Sequence, residues 1–128
     1  MRALLDTYAF LWWDVDDPQI SDLAGRMIES SDNELLVSAA SLWEIAIKVS
    51  SDKLVLPSAI DRYVPGRLTA YRFKTLPVNG EHALRVASLP PIHRDPFDRM
   101  LIAQALVEGI PIVTSDPAIG RYDVETIW

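Results

Sequence analysis

Short apolar stretches of strand length recur along this chain, and each is followed by a segment of helical character. Ala3-Leu4-Leu5, Glu34–Ser38, Arg72–Leu76 and Ile110–Thr114 are candidate strands, with Val124–Ile127 a candidate edge strand. Continuous apolar runs mark strands covered on both faces. Strands that alternate with helices require crossover connections, which make neighbouring strands parallel. The pattern predicts an α/β domain with a mainly parallel central β-sheet flanked by α-helices. The chain has 128 residues, 49% of them apolar and spread along its whole length, so one domain over residues 1–128 can bury one core.

The helical segments have recognisable ends. Tyr8 to Trp13 is apolar and broken at Asp14 to Pro18, and Ser21-Asp22 caps a helix that continues through Leu23, Met27 and Ile28. Ala39 to Val49 is apolar nearly all round, with Ser41, Glu44 and Lys48 as its clear exceptions. Pro57 and the Pro65-Gly66 pair punctuate Leu54 to Phe73, which predicts two short helices with a break between them. Asn79 starts a helix through Leu84 and Val86, and Pro96 to Val107 is a helix closed by Gly109. Asp116-Pro117 opens a last helical turn.

Several chemistries are excluded. The absence of cysteine removes disulfides, thiolate metal sites and a cysteine nucleophile. The N-terminus lacks a signal peptide's features and no segment is long enough to span a bilayer, so a soluble cytoplasmic protein is expected. A net charge of −6 argues against broad electrostatic adhesion to nucleic acid, though not against a nucleic-acid substrate once metal neutralises some of the acids. The five glycines are isolated, so there is no phosphate-cradling loop, and no Gly-x-Ser-x-Gly elbow is present. His82 and His93 lack metal-ligand spacing and read as structural or surface residues, although His93 borders the segment of greatest interest, the proposed site, and is placed to contact substrate.

That segment is HRDPFDRMLIAQA, from His93 to Ala105, where charge is crowded at the start of a buried helix. Asp95 before Pro96 is a helix N-cap. Asp98, in the first turn, suits the helix dipole. Three further acids occupy equivalent places: Asp6 ends strand one, Glu44 lies about one turn into the helix after strand two, and Asp116 follows Val113-Thr114. Each has a purely structural reading. Asp6 suits a turn, Glu44 can pair with Lys48 and face water, and Asp116 suits an N-cap. A doubly wound sheet nonetheless brings all four to the edge where ligands bind. Carboxylates gathered there repel unless hard divalent ions hold them, and oxygen-only donors point to Mg²⁺ or Mn²⁺. Arg94 and Arg99 flank the acids and can hold a phosphate or balance local charge.

Four motifs in fixed order, LLDTYAFLWW, VSAASLWEIAIK, LPPIHRDPFDRMLIAQA and IVTSDPAIGRYDVETIW, resemble the PIN-domain ribonucleases, specifically the VapC-type toxins of type II toxin–antitoxin modules. The resemblance covers essentially the whole chain. It implies a PIN-like α/β fold in which Asp6, Glu44, Asp98 and Asp116 hold one or two Mg²⁺ or Mn²⁺ ions for RNA cleavage by a metal-activated water. It further implies that Thr7, Ser38 and Ser115 support the ligands or contact phosphate, and that the chain has a VapB-like antitoxin and a homodimeric state. Tyr8 departs from the pattern, where relatives more often carry histidine or asparagine, so a hydrogen bond from that position to Asp6 is in question. Leu54, Val55, Leu56, Ile60, Tyr63, Val64 and Tyr71 either form an apolar groove for an amphipathic antitoxin helix or pack on their own core.

Two other classes fit the sequence less well. A phosphate-accepting receiver domain needs an acidic pair after strand one and a lysine after a late strand; Thr7 and Ser115-Asp116 stand there instead. A non-catalytic PIN-like scaffold binding RNA or a partner has no support while all four acids are present.

Overall fold

A computed structural model describes all 128 residues. Five strands, β1 (Arg2–Leu5), β2 (Glu34–Ser38), β3 (Lys74–Leu76), β4 (Ile112–Val113) and β5 (Thr126–Ile127), form one sheet in the order β3-β2-β1-β4-β5. Every pairing is parallel, as the apolar runs require. The helices are α1 (Thr7–Asp14), α2 (Asp22–Glu29), α3 (Ala39–Ser50), α4 (Ile60–Tyr71), α5 (Gly80–Arg85), α6 (Pro96–Glu108) and α7 (Pro117–Gly120), with a 3₁₀ turn at Val86–Ser88.

The period-two geometry of the strands sorts the core into two layers. Ala3, Leu5, Leu35, Val37 and Val113 point to one face, where Ala9 and Phe10 of α1, Ala24 and Ile28 of α2, Ile45 of α3, and Val64 and Leu68 of α4 cover them. Leu4, Leu36 and Ile112 point to the other, under Leu101, Ile102 and Ala105 of α6 and Ile119 of α7.

Register then sets the site. Leu5 is paired with Val37 on one side and Val113 on the other. The next residues, Asp6, Ser38 and Thr114, therefore emerge side by side at the carboxyl ends of the three central strands. All three are buried. The order of strands reverses between β1 and β4, so this row includes the switch point of the sheet.

Two expectations are corrected and one open alternative is decided. The Pro65-Gly66 pair does not split the middle region, because α4 runs unbroken with Pro65 inside it. An internal proline costs about 3 kcal/mol. Burial of Val64 and Leu68 and a cluster on one face of α4 offset that cost: the Tyr63 and Tyr71 hydroxyls and the Arg67 guanidinium all bond to the Asp14 carboxylate. The strands expected over Ile110–Thr114 and Val124–Ile127 shrink to two residues each, since pairing is confined to Ile112–Thr126 and Val113–Ile127. Of the seven apolar residues proposed for a groove, only Val55 stands well clear of the surface, at 88% exposure. Val64 is buried and the other five pack against the core. Gly109 caps α6 at φ +67°, a left-handed position suited to glycine. No helix is long and apolar enough to cross a membrane.

Candidate active site

Asp6, Glu44, Asp98 and Asp116 line one hollow of about 360 Å³, together with Thr7, Tyr8, Lys48, Lys53 and Asp95. Four separate elements deliver the four acids: the end of β1, α3, the first turn of α6 and the turn before α7. Each acid is held by identifiable partners. Asp6 caps α1, accepting from the Ala9 amide at 2.6 Å, and its other oxygen accepts from the Thr114 hydroxyl. Glu44 Oε1 accepts from the Thr7 hydroxyl at 2.8 Å, and Glu44 Oε2 lies 3.1 Å from Lys48 Nζ. Asp98 Oδ2 is 3.1 Å from His93 Nε2. Asp116 caps α7 through the Ala118 amide at 2.9 Å, while its own amide donates to Thr114 Oγ1 at 3.0 Å.

The charges of these groups act on one another. Burial raises the Asp6 carboxyl above its ordinary range, and the negative charges of Asp116 and Glu44 add to that rise, against the Thr114 and Ala9 hydrogen bonds. Burial likewise pushes Asp98 up to about 6, aided by Asp95 and Asp116 and opposed by His93. Burial alone would lower Lys48, but its bonds to Tyr8 and Glu44 hold the ammonium above its ordinary value. Mutual repulsion among oxygen donors is the electrostatic condition that a hard divalent cation relieves. No three acidic side chains converge at metal-binding distance. Their oxygens are instead turned to Thr114, Ala9, Thr7, Lys48 and His93. Oxygen-only donors of this kind suit a hard divalent cation such as Mg²⁺ or Mn²⁺, which takes few protein ligands.

The other expected residues separate. Thr7 reaches the site, orienting Glu44, and lies 2.8 Å from the Ser41 hydroxyl. Ser38 is buried and caps α3 through the Ala40 amide, and its hydroxyl donates to Gln104 Oε1, so it joins β2 to α6 outside the hollow. Ser115 is exposed and does not line the hollow. Of the roles expected of Ser115, the support of the acids falls to Thr114, whose hydroxyl donates to the Asp6 carboxylate and accepts from the Asp116 amide. Tyr8 bonds to Lys48 at 2.8 Å and not to Asp6.

Arg94 and Arg99 line a neighbouring hollow of about 580 Å³, walled by Ala39, Trp43, Phe97 and Met100. Arg99 gives one guanidinium nitrogen to the Pro90 carbonyl at 2.8 Å and to the Tyr122 hydroxyl at 2.9 Å, which pins the loop before α6. That hollow is larger but has no carboxylate in its lining, so the four acids are gathered in the smaller one. Asp95 caps α6 as expected, accepting from Phe97 and Asp98 amides. His82 is structural: it closes a capping box with Asn79 and lies 3.0 Å from Glu108. His93 was passed over by spacing alone, because its partner Asp98 lies five residues on and its other partner, Tyr122, is brought in only by the fold.

The sheet is all-parallel, and the acid-lined hollow lies beyond the carboxyl ends of its strands at the switch point, where α/β domains bind ligands. Residues 3–125 match the family model described as PIN domain, and the chain belongs to that family. The likeness to VapC-type PIN proteins read from the four motifs holds in the comparisons. The chain is 29% identical over 115 residues to Ribonuclease VapC22 of Mycobacterium tuberculosis (strain ATCC 25618 / H37Rv), covering 89% of this chain and 86% of that one. In fold it resembles VapBC2 from Rickettsia felis, solved bound to a DNA fragment from their promoter, with TM-score 0.72, 15% identity and coverage of 98% and 97% of the two chains. It also resembles FitAcB from Neisseria gonorrhoeae, with TM-score 0.64, 19% identity and coverage of 97% and 95%.

Proposed function

We propose that this chain is the toxin of a type II toxin–antitoxin module, an Mg²⁺- or Mn²⁺-dependent endoribonuclease acting on RNA in the cytoplasm. The observation that carries this reading is the delivery of Asp6, Glu44, Asp98 and Asp116 by four separate elements to one hollow. The relative named as a ribonuclease and the fold likeness to VapBC complexes agree with it. A cognate VapB-like antitoxin and a homodimeric state belong to the same reading.

Asp6, Glu44, Asp98 and Asp116 would hold the ion, which when bound supplies an activated water and balances charge at the scissile phosphate. The chain's own part is preorganisation. Thr7 fixes the Glu44 carboxylate, Thr114 fixes Asp6, and His93 fixes Asp98, so the donors keep their directions before substrate arrives. Asp95 sets the first turn of α6 and thereby the position of Asp98.

The test compares wild type, Asp98→Asn and Asp95→Ala on total RNA and a defined tRNA pool, with Mg²⁺, Mn²⁺ or EDTA. Metal-dependent cutting that vanishes in Asp98→Asn is the expected result. Asp95→Ala should lose about 1 kcal/mol of stability and cut more slowly, still only with metal, because the first turn that carries Asp98 loses its cap. A folded wild type that binds RNA without cutting it under any metal would make the chain a scaffold.

A further inference from the structure

The cations that face the acidic hollow are two lysines, Lys48 and Lys53, and not the arginines beside Asp95 and Asp98. Lys48 Nζ lies 3.1 Å from Glu44 Oε2 and donates to the Tyr8 hydroxyl at 2.8 Å. Its side chain is 27% exposed, which distinguishes it from a freely solvated helix-surface pair. Lys53 reaches the same hollow through the backbone. Asp52 takes φ +58°, and the Lys53 and Leu54 amides both donate to the Lys48 carbonyl, at 2.8 and 3.2 Å, so the chain folds back over the end of α3.

Charge gives this placement a consequence. A divalent ion held at Glu44 would lie close to the Lys48 ammonium, and the two like charges would repel each other. A polyanionic substrate must also approach a chain of net charge −6, and it needs local cations at the hollow to do so. Arg99 is already committed to Pro90 and Tyr122. Tyr8 anchors Lys48 independently of Glu44, so the ammonium stays at the rim when Glu44 turns to metal.

We propose that Lys48 is the hollow's resident counter-cation, which a divalent ion displaces from Glu44 and which then binds, with Lys53, the phosphate of the RNA strand. This deepens the ribonuclease reading and rests on it. The exchange explains why an i,i+4 ion pair is enclosed at the site: the lysine steadies Glu44 before loading and becomes a substrate-binding residue after it.

The experiment measures Mn²⁺ binding by calorimetry in RNA-free wild type, Lys48→Met, Lys48→Arg and Lys53→Ala, then steady-state cleavage at saturating Mn²⁺. Lys48→Met should bind Mn²⁺ about tenfold more tightly, because a competing positive charge is gone, while its KM for RNA rises about tenfold with little change in kcat. Lys48→Arg should restore KM. Lys53→Ala should raise KM and leave Mn²⁺ affinity unaltered. Unchanged or weaker Mn²⁺ binding in folded Lys48→Met, or a fall in kcat at constant KM, would overturn the proposal and reduce Lys48 to a brace for Glu44. Wild type that neither binds Mn²⁺ nor cuts RNA would remove the ribonuclease reading itself, and this inference with it.

Discussion

His93 holds Asp98: its Nε2 lies 3.1 Å from Asp98 Oδ2, while its Nδ1 lies 2.7 Å from the Tyr122 hydroxyl. The ring thus connects a candidate ligand on α6 to the C-terminal segment after α7. Groups that orient a ligand typically contribute 10–100-fold to metal affinity or activity. His93→Ala should therefore weaken Mn²⁺ binding and slow single-turnover cleavage by about 10–100-fold. Tyr122→Phe, which keeps the ring and removes one anchor, should have a smaller effect in the same direction. Equal activity of His93→Ala and wild type would sink the role assigned to this pair.

Asp98 also makes stability depend on pH. Its carboxyl is pushed up to about 6 in the folded chain, chiefly by burial, against an ordinary value of about 3.9 when unfolded. Between those values the folded state binds more protons than the unfolded state, so stability falls as pH rises. In EDTA, wild type should lose stability relative to Asp98→Asn as pH is raised from about 4 to about 7. The relative loss should be on the order of 1 kcal/mol once solvent screening is allowed for. Saturating Mg²⁺ should reverse the difference, because the ion favours the ionised form. Urea denaturation at each pH reads this directly.

The Asp14 cluster, which does not line the hollow, predicts a purely structural defect. Asp14 accepts from Tyr63, Tyr71 and Arg67 and joins the end of α1 to α4. Burial alone would raise its carboxyl, but these bonds overcome that and hold it below the ordinary value. Asp14→Ala leaves two tyrosine hydroxyls and a guanidinium without their shared partner, at a cost of about 1–3 kcal/mol. Thermal denaturation should show the loss, while cleavage per folded molecule stays at the wild-type level.

That cluster also marks the limit of what was legible in the sequence. A mainly parallel sheet, the ends of most helices and the four acids could be read from apolar runs, capping residues and motif order, because those signals are local. Unbroken α4 could not, since proline inside a helix is tolerated only when distant groups such as Asp14 compensate. The same reason hid Thr114 and Lys53 from the candidate site, and hid the contact by which His93, at its border, meets Asp98. Thr114 becomes visible only when register sets it beside Asp6, and Tyr122 reaches His93 across 29 residues of chain. Lys48 was visible as a helical neighbour of Glu44, yet the choice between a wet surface pair and an enclosed one depends on what packs around it.

Thr114 offers the sharpest separation of site geometry from fold. Its hydroxyl donates to Asp6 and accepts from the Asp116 amide, so one buried side chain sets the directions of two acids from different elements. Thr114→Val keeps the shape and removes both bonds. The Asp116 amide and an Asp6 oxygen then lose a partner, at a cost of about 1–3 kcal/mol. The Asp6 carboxyl, already raised by burial, should rise further without the Thr114 bond that lowers it. Metal must then displace a proton that is more tightly held, so cleavage should fall most at acidic pH and recover in part as pH rises. Thr114→Ser restores the hydroxyl and should restore both the pH profile and metal affinity, while losing some stability with the methyl group. If valine and serine variants share the wild-type profile, Asp6 is fixed by the Ala9 amide alone, and Thr114 serves only to end β4.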